Sequence, residues 1–229
     1  MKTMENKKYK LTDETINLNG VTLYRIEALK DFGEIKKGDK GGFIESEKNL
    51  THDGNAWVSG NACVYNNACV SDNACVYGDC YIYDSADIYG NAKVCDNANV
   101  YDNAKVYGNA CVYGDACVYD SACVSDNVWV SGSAHVYGYV FVYGYAHLSG
   151  NAEISNKFDY IVFQNWWSSG RYFTWTRSNN MWSVGCFYGT GEELIKKAYE
   201  DSELSGREYS RVVKYVEGIL GEENLSNNS

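Results

Sequence analysis

From Asn55 to Ser155 the chain repeats one six-residue unit without a break, a period that few folds can satisfy. An aliphatic residue falls at every sixth position: Val58, Val64, Val70, Val76, Ile82, Ile88, Val94, Val100, Val106, Val112, Val118, Val124, Val130, Val136, Val142, Leu148 and Ile154. Two residues before each stands a small one, Ala throughout from Ala56 to Ala152 except at Cys80, Val128 and Val140. A period of six matches no α-helix and is too regular for ordinary hairpins. Each unit therefore reads as a short strand and a tight bend of a parallel β-helix. Side chains alternate along a strand, which turns the small residue and the aliphatic inward together and points the neighbours of the aliphatic outward. The bends are Gly-Asn, Asp-Asn, Gly-Asp or Asp-Ser pairs, residues that tolerate left-handed backbone or bond their own main chain.

The unit Val58-Ser59-Gly60-Asn61-Ala62-Cys63 resembles the hexapeptide repeat of left-handed β-helix proteins: an aliphatic, a small or polar residue, two turn residues, a small residue and one more. The resemblance runs through 55–155 and implies a left-handed parallel β-helix of about six triangular coils, three units to a coil, in which every third unit stacks. A left-handed coil departs from the right-handed rule for parallel crossovers. At a strand spacing of about 4.8 Å the rod is roughly 25 to 30 Å long. Its two ends carry unpaired strand edges that the flanking segments must cover.

Those flanks divide the chain. Residues 1–54 read as an N-terminal β-rich cap, with a hairpin across Asn19-Gly20 that puts Val21, Leu23 and Arg25 on one face and Tyr24, Ile26 and Ala28 on the other. Within it, the stretch from Leu23 to Gly33, then Lys37-Gly38-Asp39-Lys40-Gly41-Gly42-Phe43-Ile44 and Glu47-Lys48-Asn49-Leu50, resembles the leader of a family of bacterial and phage hexapeptide-repeat proteins often labelled transferase-like. That label follows the fold, not a shown chemistry. Residues 55–156 are the β-helix. Residues 157–221 read as a small α+β domain: a three-stranded meander with bends at Ser168-Ser169-Gly170 and Ser178-Asn179-Asn180, then two helices. The first opens on a capping box at Thr190 and Glu193; the second opens at Ser205, carries Tyr209, Val212, Val213, Val216, Ile219 and Leu220 at helical spacing, and stops near Gly221. Residues 222–229 read as a flexible tail. This terminal domain resembles a module of phage-borne proteins, a likeness that bears on origin and not on mechanism.

The 229 residues are 45% hydrophobic with 21 Tyr, 22 Gly and no Pro, as expected of a folded chain. No segment has signal-peptide or membrane-spanning character, which predicts a cytoplasmic protein that makes no membrane contact. Of nine Cys, the six in Ala-Cys-Val units (Cys63, Cys69, Cys75, Cys111, Cys117, Cys123) should face outward; none stacks on another in the adjacent coil, and there is no CxxC. Neither a disulfide ladder nor a metal site is expected. Charge is uneven: 1–54 holds ten acids and ten bases, 55–155 ten acids against Lys93 and Lys105, and the remainder ten acids and eight bases. A rod near minus eight is unsuited to bind nucleic acid through phosphates.

Tyr65, Tyr83, Tyr101, Tyr119 and Tyr137 recur in every third unit and predict a five-rung aromatic ladder on one face, either an interaction surface or a stack that stiffens the sheet. Asp84, Asp102 and Asp120 form a corner column best read as bend residues, and Trp57 and Trp129 share another face four coils apart. In the meander, Trp166, Trp167 and Trp175 are candidate binding residues, set against use as core. Gly189-Thr190-Gly191 reads as a helix cap ahead of a phosphate cradle. The resemblance also implies a competing activity: enzymes with this repeat are typically trimers that bind acyl-CoA between rods and use a His as general base. Here His135 and His147 are the candidates, two units apart and so on different faces; with His52 they lack the spacing of the zinc-binding branch of the fold. The expectation is a non-enzymatic β-helix without cofactor that binds a host protein or self-associates as a dimer or trimer, from a phage or mobile element. The alternatives are a trimeric CoA-dependent acyltransferase and a self-assembling structural scaffold.

Overall fold

Asn19 and Gly20 turn the chain with φ of 51° and 90°, joining β1 (Tyr9–Leu18) to β2 (Val21–Ala28) in the two-residue hairpin expected of that pair. The computed structural model describes residues 7–226, with side chains to residue 220. β3 (Lys40–Ile44) pairs antiparallel with β2 on one edge and parallel with β5 (Cys63–Val64) on the other, so the cap sheet runs into the rod without a seam. The anticipated two-faced pattern of β2 follows: Leu23 packs with Phe43 and Cys63, while Ile26 and Ala28 join the main core.

The rod is a parallel β-solenoid of about six turns. Seventeen two-residue strands from β4 (Trp57–Val58) to β20 (Glu153–Ile154) stack in three faces, each strand on the one a full coil away. The first face is the continuation of the cap sheet and ends on β20; the second runs from β4 to β19 (His147–Leu148); the third runs from β6 (Cys69–Val70) to β18 (Phe141–Val142). Every aliphatic from Val58 to Ile154 is fully buried in one continuous core. The coil begins earlier than residue 55. Ile44 lies opposite Val64 and Leu50 opposite Val70, so both fill aliphatic positions of a preceding turn, and two extra residues before Val58 hide them from a strict period of six.

The bends are left-handed at their first residue, either Gly or an Asp or Asn such as Asp72, Asp84, Asp102 and Asp120. A Cβ on Gly132 (φ +64°) would stand 2.8 Å from the Gly150 nitrogen one coil on, so backbone meets backbone there. Asp carboxylates at the corners accept the amide of the next coil: Gly90 to Asp72 at 3.0 Å, Asp120 to Asp102 at 3.2 Å and Gly138 to Asp120 at 3.0 Å. The Asp column is thereby accounted for as bend chemistry. Asn55, Asn73, Asn91, Asn109 and Asn127 make a second column, each amide donating to the next at 3.1 to 3.3 Å.

Beyond the rod the meander has four strands, not three: β21 (Tyr160–Gln164), β22 (Tyr172–Thr176), β23 (Met181–Val184) and β24 (Phe187–Gly189), in sequential antiparallel order. Both expected bends are present. α1 (Gly191–Asp201) opens on the Thr190–Glu193 capping box. α2 (Glu203–Ser226) opens two residues before the expected Ser205; Ser202 Oγ accepts the Ser205 amide at 3.1 Å and serves as its cap. It also continues through Gly221 to Ser226, so most of the segment read as a flexible tail is helix, and 227–229 lie outside the described residues. Phe173, Trp175, Trp182, Leu194, Ala198, Tyr209, Val213 and Val216 form a second core.

Candidate functional site

Stacking strands in parallel gives the rod a chemical polarity. Most inter-coil bonds run from an amide of one coil to a carbonyl of the next, as Cys123 to Val140 and Ser125 to Val142, while each parallel strand pair also returns one bond the other way. The first turn is therefore left mainly with carbonyls to satisfy and the last turn mainly with amides.

The carbonyls meet donors. Lys8 Nζ, fully buried beneath Phe32, donates to Ala56 O at 2.7 Å; burial brings its pKa down to about 8. Tyr9 Oη donates to Leu50 O at 2.7 Å, and the buried Asn49 side chain donates to Asn66 O and Ala68 O at 3.0 and 2.8 Å. Arg25 Nη1 reaches Gly41 O and Gly60 O, with its guanidinium over the Phe43 ring. His52 stacks on Tyr9 at 4.4 Å, and burial lowers its pKa. Its part is in this cap.

The amides meet oxygens. On the second face His147 N–H donates to Thr174 Oγ1 at 2.9 Å; on the first, Glu153 N–H donates to Ser178 Oγ at 2.7 Å. Asp159 Oδ2 takes the amides of Ser155 and Asn156. The third face is different. The Tyr160 hydroxyl bonds the Tyr143 main chain, but among the described residues no acceptor meets the Phe141 amide, and β18 is the terminal strand of its sheet.

Around that open edge the side chains are aromatic and exposed: Tyr139 is 87% exposed, Phe141 61%, Tyr143 66%, Tyr145 45% and Phe158 66%. A groove of about 460 Å³ runs between β18 and β21, lined by Phe141, Tyr143, Tyr145, Lys157, Tyr160 and Tyr172 among others. β21 is itself the edge strand of the C-terminal sheet, and Tyr145 stacks face to face on Tyr172 at 4.1 Å. Columns of identical residues, the strongest pattern in the sequence, stop short of these positions: the column that ends at Asn127 gives way to Tyr145, and Ser125 separates Tyr143 from Tyr107. The available signal is local: at Tyr139 and Tyr145 an aromatic replaces the Asn, Asp or Ser that ordinarily ends a bend.

The expected tyrosine ladder exists. Tyr65, Tyr83, Tyr101, Tyr119 and Tyr137 stack at 5.0 to 5.3 Å with interplanar angles of 2° to 10°. Stacking half-buries every rung, and burial pushes the Tyr65 phenol up to about 12 and those of Tyr83, Tyr101 and Tyr119 upward as well. Tyr89 and Tyr107 repeat the motif on the third face at 4.9 Å. Of the tryptophans, Trp166 is 78% exposed, Trp167 packs edge-on against Tyr209 with its indole N–H buried and unpartnered, and Trp175 is in the core, which removes it as a surface residue. Trp57, expected to face outward, lies buried against Phe32 under the N-terminal cap. Cys63 faces out of the coil but is covered by the same cap.

His135 and His147 lie on the first and second faces and do not meet. His135 packs edge-on to Tyr119. His147 stacks flat on Trp129 at 4.9 Å, burial lowers its pKa, and it lines a cavity of about 360 Å³ with Ser131, Cys186 and Tyr188. No group of three or more potential metal ligands occurs among the described residues, and no described helix is long and apolar enough to cross a membrane. No family model matches the chain, and no curated protein is significantly similar to it.

Proposed function

We propose that this protein is a non-enzymatic binding module, a stiff capped β-helix that presents an aromatic surface to a protein partner. The carrying observation is the concentration of exposed aromatic side chains on the last turn of the third face, while the other aromatic columns of the rod are consumed in stacking. Contiguous exposed aromatics mark interaction sites, and Tyr and Phe anchor them at low entropic cost. The acidic rod favours a protein over a nucleic acid as the partner. The resemblance of the leader supports membership among left-handed hexapeptide-repeat proteins and an origin in a phage or mobile element, with a cytoplasmic host protein as the target to be modulated.

The test is capture from host lysate by the tagged full-length chain and by its Tyr143→Asp variant. A stoichiometric partner held by the first and lost by the second, with folding retained, supports the proposal. The cavity at His147 keeps the acyltransferase alternative specific. Saturable acyl-CoA binding, with turnover lost in His147→Ala or His135→Ala, would replace a binding module with a CoA-dependent enzyme. Partner-free assembly to a dimer, trimer or longer particle would replace it with a scaffold.

A further inference from the structure

We propose that the groove between β18 and β21 is a strand-addition site for an extended, carboxylate-bearing segment of the protein partner, an assignment that rests on the protein-binding reading above.

Three independent observations converge there. The first is hydrogen-bond supply. Of the three strands that end the rod, β19 and β20 have their outward amides closed by Thr174 and Ser178, whereas the Phe141 amide of β18 has no acceptor among the described residues. Across the groove β21 is paired with β22 on one edge only. The unpaired Phe141 amide and a strand with one free edge therefore flank one groove, and an extended peptide satisfies such groups with its own main chain. The second is shape and chemistry. The lining is mostly aromatic, with Gly144 and Val162 between the rings, an apolar surface for the alternate side chains from which strand addition gains specificity.

The third is charge. In a chain of net charge −10, the one charged residue of the lining is Lys157, which lies over the Phe158 ring at 4.9 Å and forms no ion pair among the described residues. The acids beside it are engaged by main-chain amides: Asp126 by Gly144 at 3.0 Å, and Asp159 by Ser155 and Asn156 at 2.7 and 2.9 Å. A cation at the mouth of an aromatic groove selects a segment that brings a carboxylate to that end. The other two terminal strands, whose amides are closed, carry His147 and Glu153 outward and offer nothing comparable.

The probe is a display library of random linear peptides of about ten residues, the length of a long strand, selected on the full-length chain. Enriched peptides are then measured by fluorescence anisotropy against wild type, Phe141→Arg and Lys157→Glu; both positions lie outside the two cores, so the fold is retained. The expected result is enrichment of Asp or Glu at one end of an apolar segment and a loss of about tenfold or more in affinity in either variant. Exchanging the peptide acid for Lys should restore binding to Lys157→Glu. Amide exchange at Phe141 should slow when the peptide is bound. Peptides without an acid, binding that survives both variants, or an unchanged Phe141 amide would each overturn the assignment. So would a dimer of the chain that Phe141→Arg dissolves, since the occupant would then be a second copy. A host protein that still binds Phe141→Arg removes this groove and leaves protein binding standing; a wild-type chain that captures neither protein nor peptide removes both.

Discussion

The two ends of the rod solve the same problem with opposite chemistry. The N-terminal end presents mainly carbonyls and is closed largely by donors, two of them cationic: Lys8 is wholly buried and Arg25 is anchored on Glu14 at 2.6 Å. Its cap sheet is continuous with the first face, so cap and rod share one core. The C-terminal end presents mainly amides and is closed by hydroxyls and a carboxylate from a domain that has a core of its own. The first closure is integral to the coil. The second is made by side chains, and on the third face it is incomplete. Unpaired edges are hazards unless they are covered or used, and here aromatic side chains and a groove accompany the one that is open.

Alkaline pH probes this difference with the largest expected effect. Burial pushes the thiols of Cys63 and Cys80 up to about 11 and about 12, and both lie in the N-terminal turns. An unfolded thiol titrates near 8.5. Because the folded pKa is raised, the stability these thiols contribute is complete below about pH 8.5 and is lost as pH rises toward 11 and beyond, on the order of 8 kcal/mol for the pair. Urea midpoints should fall across that window, and Cys63→Ala with Cys80→Ala should flatten the fall. Lys8 works in the other direction. Its folded pKa is lowered, so between about 8 and 10.4 the unfolded chain binds more protons and stability rises with pH. Lys8→Met should therefore steepen the alkaline fall. At neutral pH two effects of the same substitution oppose each other in urea unfolding: it strands the buried Ala56 carbonyl, at about 1 to 3 kcal/mol, and it removes the ammonium whose burial lowers the Lys8 pKa.

The rod is legible in the sequence almost residue by residue because stacking of every third unit makes each position answer to its neighbours above and below. The caps are legible only as segments. Lys8 sits in a Lys-rich stretch with nothing local to mark it as buried; its role is set by a carbonyl at Ala56, far along the chain. Ile44 and Leu50 have the right character for the coil but are separated from Val58 by two extra residues, and a strict period misses them. Gly221 reads as a stop signal, yet a glycine inside a helix costs only about 1 kcal/mol, which a long helix absorbs. The candidate site is displaced from its expected place for a related reason. Columns of identical tyrosines are conspicuous in the sequence, but identical neighbours stack on one another and hide their faces. Exposed aromatic surface appears where the stack ends.

Within the C-terminal closure itself, burial should grade the cost of each lost acceptor. Thr174 is buried, so Thr174→Val keeps its shape and strands the His147 amide away from water, at about 1 to 2 kcal/mol by urea unfolding. Urea midpoints that follow alkaline pH identically in Thr174→Val and Lys8→Met would show that the two ends are held alike and break the comparison.

Ser178→Ala should have the smallest effect, below about 0.5 kcal/mol, because Ser178 and Glu153 are both exposed and water can take the place of the hydroxyl. This substitution also separates two properties that coincide at β18. It opens a second strand edge at β20, but one that carries Glu153 where β18 carries Phe141. If an unpaired amide were enough to recruit a strand, Ser178→Ala would bind the selected peptides at two sites. The expected stoichiometry by calorimetry stays at one, because an edge bearing a carboxylate repels an acidic segment and offers no aromatic pocket.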